Sequence, residues 1–212
     1  NKLPVIYGSA YVGGIITDMS ITEDNQDIYW VISLSEVTNT ETGGTPDTFT
    51  FGNIYWGGKR VIFGSGAAVT GLLDESTGET QDITGYMDIW LYSNGSNNPT
   101  NTSTSAIDVM NSTGLVYTWN ATKLMSNTVF AIVQLTYNSN AGVTGLLETQ
   151  FRVNNPRNNA GDVIYDYLTN TVYGGAIPAS QIDTTSLSNL TTYCNQTITF
   201  NDDLGNPQTQ QR

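Results

Sequence analysis

The chain has 212 residues, of which 38% are apolar and only 12% charged, and its 19 acidic and 7 basic side chains leave a formal net charge of −12. That length holds one large core or two modest ones. A surface so acidic has almost nothing with which to neutralise phosphates, which excludes sequence-specific nucleic-acid binding, and the lack of any histidine removes His-dependent triads, His-ligated metal centres and imidazole acid–base chemistry.

The heavy use of Thr, Asn, Gly and Ser favours many short strands joined by polar turns over long salt-bridged helices. From Leu3 to Met19 (LPVIYGSAYVGGIITDM), apolar runs interrupted by Gly8, Gly13 and Gly14 read as strands broken by bulges or tight turns. Asp27 to Glu36 (DIYWVISLSE) alternates after Val31 as a half-buried strand does. Phe49 to Phe63 predicts a hairpin turning at Gly57-Gly58, where positive φ costs glycine little. Further strands are expected at Tyr86–Tyr92, Leu115–Trp119 and Val129–Tyr137.

Residues 94–114, dominated by Asn, Ser and Thr, offer little to bury and are expected to form an exposed, mobile insertion. The Asn-x-Ser/Thr triplets at Asn94, Asn101 and Asn111 are what such a composition generates by chance. After Phe151-Arg152-Val153, the turn signal Asn154-Asn155-Pro156 predicts a boundary between a β-rich domain over 1–153 and a smaller helical or mixed segment over 154–212.

In that segment Gly161–Asn170 is expected to be helical, with Val163, Ile164, Tyr167 and Leu168 on one face and Asn159 or Asp162 serving the first turn. A second helix is expected around Ile182–Cys194, capped by Asp183 or Thr184, with Leu187, Leu190, Tyr193 and Cys194 on its apolar stripe. Two helices of about three turns are marginal alone, so they must pack on each other or on something else. Cys194, the only cysteine, cannot form an internal disulfide and reads as a small buried hydrophobe. No apolar run reaches the ~18 residues of a membrane span, and no secretory signal is visible.

The candidates for chemistry are thin. Glu23-Asp24, Asp74-Glu75 and Asp202-Asp203 are adjacent pairs, and adjacent carboxylates point apart on a strand or into water in a loop, so they read as turn acids rather than a glycosidase pair. Asp202-Asp203-Leu204-Gly205 lacks the alternating oxygen ligands of a calcium loop and reads as a turn. Gly57-Gly58-Lys59-Arg60 suits a hairpin better than a phosphate cradle. No catalytic, cofactor-binding or metal-binding residue is expected, and no cofactor. The aromatics Tyr29, Trp30, Tyr55, Trp56, Trp90, Tyr92, Tyr117 and Trp119 lie in strand-like runs, which favours packing over a sugar platform. The composition as a whole is that of a mainly β chain with a short C-terminal helical pair, an α+β arrangement.

The end of the chain resembles the central hub family of phage tail tip attachment and host-specificity proteins, the J-like proteins. The features that carry the resemblance are Pro156 followed by Val163 to Asn170 (VIYDYLTN), the Tyr173-Gly174 step, Ile182-Asp183, Leu187, Leu190 and Tyr193-Cys194-Asn195, then Gly205 and Arg212. PVIYGSAYVGG near the start, FGNIYWGGKRV, and the stretch from Val129 to Val153 are similar in a looser way. The resemblance implies barrel- or sandwich-like hub domains in a non-enzymatic virion protein. It would form a homotrimer at the centre of a tail tip or baseplate, close the tail tube, and carry fibre or receptor-binding proteins. Its partners would be itself, distal tail and tail tube proteins, and those fibres. Family members are longer, so the chain is expected to be part of a larger protein. A different class, a carbohydrate-binding β-sandwich of an acidic surface protein, is the alternative reading, and it accounts for the aromatics but not for the helical end.

Overall fold

The computed structural model of the chain describes residues 2–41 and 44–211. The protein is mainly β, with three antiparallel sheets and a few helices. It divides into two units, Asn1–Val37 with Thr48–Asn155, and Thr38–Asp47 with Pro156–Arg212.

The first unit runs β1 (Ser9–Val12), β2 (Ile15–Ile21), β3 (Asp27–Glu36), β4 (Thr50–Trp56), β5 (Lys59–Phe63), β6 (Val69–Leu73), β7 (Thr80–Asp82), β8 (Met87–Tyr92), helix α1 (Ala106–Val109), β9 (Thr128–Thr136) and β10 (Thr149–Asn154). One sheet has the order β1-β10-β4-β5-β6-β7, the other β2-β3-β9-β8. The expected hairpin is β4–β5, with Gly57 and Gly58 both at positive φ. At Gly14 the chain turns from one sheet into the other with φ of 73°, and a Cβ there would fall 2.5 Å from Ile32 Cγ2. Only glycine fits both the conformation and the space.

The two sheets share one core, built from Trp30, Ile32 and Leu34 of β3, Ile54 and Trp56 of β4, Ile89 of β8, Val133 of β9 and Phe151 of β10. The opposite face of the four-stranded sheet has a core of its own, in which Tyr29, Val31, Phe130 and Ile132 meet Ala106, Val109, Met110, Leu115 and Trp119. So β3 and β9 are buried on both faces, not half-buried as the alternation in β3 predicts. Tyr92 and Phe130 stack there at 4.7 Å, and the Tyr92 hydroxyl donates to Thr104 O.

The supposed exposed insertion supplies part of this layer, which corrects the expectation for residues 94–114. Ala106 and Met110 are completely buried and Val109 nearly so. The segment is polar in composition, but its few apolar residues are gathered on one turn of helix, capped by Ser105 accepting from Asp108 N. Its polar groups are bonded inward: Ser96 Oγ donates to Lys123 O, and Asn101 Nδ2 donates to Ile89 O.

Leu115–Trp119 is likewise no strand. Leu115 makes a lone bridge to Thr22, and Ser20 Oγ donates to Tyr117 O while accepting from Tyr117 N, standing in for a ladder. The β2 bulge between Ile16 and Asp18 turns Asp18 toward that layer, where it accepts from Trp119 Nε1 and Lys123 Nζ.

Among the described residues Asp88 on β8 has no such partner. Burial, and then the nearby charge of Asp27, raise its carboxyl above the ordinary range. A raised folded pKa means that ionisation costs stability: nothing below the ordinary carboxylate value, and the full penalty above the raised one. Asp88→Asn is therefore expected to raise the melting temperature at pH 7, with the gain shrinking to nothing as pH falls into the ordinary carboxylate range. Melting curves of both proteins between pH 3 and 8 check this.

The second unit holds α2 (Ala160–Thr169), a 3-10 turn at Ala179–Gln181, α3 (Thr184–Cys194) and an antiparallel hairpin of β11 (Thr197–Asn201) and β12 (Pro207–Gln211). Both helices lie where the sequence places them. The expected division at 153/154 needs correction, because Thr38–Asp47 leaves the first unit and belongs with the second. Among the described residues no helix is long and apolar enough to cross a membrane.

Candidate interaction surface in the second unit

The second unit has no fully buried apolar side chain among its described residues. Its buried side chains are Thr38, Asp166 and Asn170, with Gly161 beside them. What holds it together is polar. Asp47 accepts from Arg157 Nε at 2.7 Å, from Arg157 Nη2 at 3.3 Å and from Thr38 Oγ1 at 2.6 Å. Burial works against the Arg157 charge, but the hydrogen bond and charge of Asp47 outweigh it and raise its pKa. Asp166 accepts from Asn39 N at 3.0 Å and from the Tyr173 hydroxyl at 2.7 Å. Glu41 accepts from Thr171 N and Thr171 Oγ1. These bonds tie the 38–47 excursion to α2 and the loop after it.

The helices meet through Gly161. A Cβ there would lie 2.3 Å from Leu187 O and 2.4 Å from Thr191 Oγ1, and Gly161 N donates to that hydroxyl at 2.9 Å. The absence of a side chain is what lets α2 and α3 approach this closely. The end of α2 is closed by the chain that follows: Gly175 N donates to Tyr167 O, Ile177 N to Leu168 O and Ala176 N to Asn170 O. Asp183 caps α3, accepting from Thr185 N and Ser186 N; the Ser186 side chain, then its backbone amide, lowers the Asp183 pKa. Asn159 sits at the α2 cap position but makes no side-chain cap bond.

The apolar stripes expected on the two helices exist, but they are not buried. Ile164 and Tyr167 are exposed, Val163 and Leu168 half-buried, and α3 buries none of its residues fully. Cys194 is half-buried rather than enclosed. The inward side of α2 is taken by Gly161 and Asp166 instead, because the polar network and the close helix contact lie there. A groove of about 310 Å³ runs between the helices, lined by Gly161, Tyr165, Leu187 and Thr191.

Among the described residues the hairpin has no further strand on either edge, and it is exposed along β11. Ile198 and Phe200 share one face, opposite Gln210 and Gln208. Its turn is pre-formed, with Asp202 accepting from Asn206 N, Leu204 N and Gln208 Nε2, which places Leu204 at the tip with 86% of its surface exposed. The amide of Asn206 foremost holds the Asp202 pKa down. Sequence reading places the Asp202–Gly205 turn correctly but not the strands around it, whose β-branched and aromatic signal is confined to Thr197–Phe200.

Several of the other singled-out residues have local bonds or burial. Asp24 and Asp74 organise their own turns by accepting from Gln26 N and Ser76 N, and Glu75 pairs with Arg60. Tyr29, Trp30, Trp56, Tyr92 and Trp119 are buried. Among the described residues no three His, Cys, Asp or Glu side chains are grouped closely enough to hold a metal ion. Neither the models of known protein families nor the curated proteins give a match to the chain.

Proposed function

We propose that the chain is a structural protein of a phage virion, the central hub of a tail tip or baseplate, assembled as a homotrimer and without enzymatic activity. In this reading the β-rich unit is the hub domain, barrel- or sandwich-like in character, and the helical pair of the second unit is a packing element between domains or subunits. It closes the tail tube and meets tail tube, distal tail and fibre or receptor-binding proteins.

The observation that supports the reading is that, among its described residues, the second unit has no buried apolar side chain while Ile164, Tyr167, Val172, Tyr193, Phe200 and Leu204 stand exposed. Burying aliphatic or phenylalanine side chains contributes roughly 1.5–3 kcal/mol each, so a few such contacts across a subunit boundary outweigh what the polar network supplies within one chain. Symmetric rings bury such surfaces repeatedly, and open strand edges find partners there.

Light scattering on the purified chain, with negative-stain imaging of the chain and of the native particle, tests the proposal. A three-fold ring or density at a tail end is the expected result; a compact monomer absent from any particle overturns it. Phe200→Asp is expected to shift the trimer toward monomer while the first unit keeps its melting temperature.

A further inference from the structure

On one face of the six-stranded sheet, Tyr11 of β1 and Tyr55 of β4 meet edge to face, their ring centroids 5.8 Å apart at 64°. With Gly58, Glu148 and Gln150 they line a cleft of about 310 Å³. Small-ligand sites span about 300–1,000 Å³, so this one suits roughly one or two rings.

Both tyrosines are held before any ligand arrives. The Tyr55 hydroxyl donates to Glu75 Oε2, and Arg60 Nε donates to Glu75 Oε1. The Arg152 guanidinium lies 5.9 Å from the centre of the Tyr11 ring. Arg152 packs over Gly52, where a Cβ would come within 2.8 Å of its Cδ. Rings fixed this way pay little ordering entropy on binding. Gly58, at φ 79° in the β4–β5 turn, leaves the rim bare.

The polar lining offers both donors and acceptors, and its one charge is the Glu148 carboxylate. Gln150 Nε2 donates one hydrogen to Glu148 Oε1 at 2.9 Å, which leaves Glu148 Oε2 and Gln150 Oε1 as acceptors beside the second Nε2 hydrogen and the Tyr11 hydroxyl as donors. A fitting ligand therefore presents a C–H face to the rings, donates hydrogen bonds, and carries no negative charge beside Glu148. A neutral pyranose meets all three requirements. A proline-rich peptide offers carbonyl acceptors but no hydroxyl to donate to Glu148 Oε2 and Gln150 Oε1, so it leaves the carboxylate side of the cleft unmatched. An acidic sugar would meet the Glu148 carboxylate head-on.

We propose that the Tyr11–Tyr55 cleft is a binding site for a neutral pyranoside unit of a glycan. Saturation-transfer NMR on the whole chain, with maltotriose and N,N′,N″-triacetylchitotriose as probes and trigalacturonate and a proline-rich decapeptide as comparators, tests it. The expected result is transfer to at least one neutral trisaccharide, affinity lowered about tenfold or more by Tyr11→Ala, and retention in Tyr11→Phe. Gln150→Ala, a surface change that leaves both rings in place, is expected to weaken binding severalfold. No transfer to either neutral sugar, transfer unchanged by Tyr11→Ala and Gln150→Ala, or preference for the acidic sugar or the peptide overturns the proposal. The readout is independent of oligomeric state, so its failure and that of the hub reading are separable.

Discussion

Replacing Gly174 by alanine is expected to pull the chain after α2 away from the helix it closes. A Cβ at this position would lie 2.0 Å from Tyr167 O and 2.8 Å from Asn170 O, both backbone atoms that cannot swing aside as a side chain could. Its φ is not in the left-handed region, so contact alone forbids the substitution. To make room, residues 175–177 must retreat, and with them go the three amides that close the helix on Tyr167 O, Leu168 O and Asn170 O. At about 1 kcal/mol each, those bonds are together worth roughly 3 kcal/mol. Hydrogen exchange at amides 163–177 should accelerate about a hundredfold, and the Tyr173 hydroxyl should lose Asp166. Gly145→Ala is the control, since a Cβ there meets nothing and no positive φ is needed. Unchanged protection in Gly174→Ala would refute the role assigned to the Tyr173-Gly174 step.

That step also shows where sequence reading stops. Tyr173-Gly174 stands out as a motif, but nothing in the letters says that the glycine exists to let one backbone lie on another. The strands were legible where β-branched and aromatic residues run together: Asp27–Glu36 agrees to the residue, and Gly57-Gly58 fixes its hairpin. β6 and β7 were not, because Val69–Leu73 is broken by Gly71 and Thr80–Asp82 is short and polar, and both are held by pairing with neighbours rather than by their own propensity. The segment after Tyr92 misled because its composition is polar on average, while burial is decided by the few apolar residues that one turn of helix gathers on a single face.

Of the candidate surface, the helices and the Asp183 cap were visible from apolar spacing and capping residues. The outcome of that spacing was not. An amphipathic stripe states which residues would bury together, not whether the same chain supplies the partner, and here Ile164 and Tyr167 remain in solvent. The 38–47 excursion was invisible for a different reason: Arg157 and Asp47 are 110 residues apart, and Asn39 and Asp166 are 127 apart. No local pattern encodes a bond of that range.

The clamp on that excursion carries the other large expected effect. Asp47→Ala removes three hydrogen bonds at once and leaves the Arg157 guanidinium, whose side chain is only 15% exposed, without its closest counter-charge. Breaking one side of a buried pair costs about 3–5 kcal/mol. Asp166 and Asp162 still act on Arg157, which puts the expectation near the lower end, about 3 kcal/mol. Denaturant unfolding measures it, and limited proteolysis should find new cleavage within 38–47. The double variant Asp47→Ala with Arg157→Met should recover most of the loss, because it also removes the half-buried charge that Asp47 balances. Recovery would identify the ion pair as the clamp. A double variant as unstable as Asp47→Ala would mean that the Thr38 hydroxyl and the packing around Asp47 carry the excursion instead, and a single variant that loses under about 1 kcal/mol would place Arg157 in the class of exposed pairs worth little.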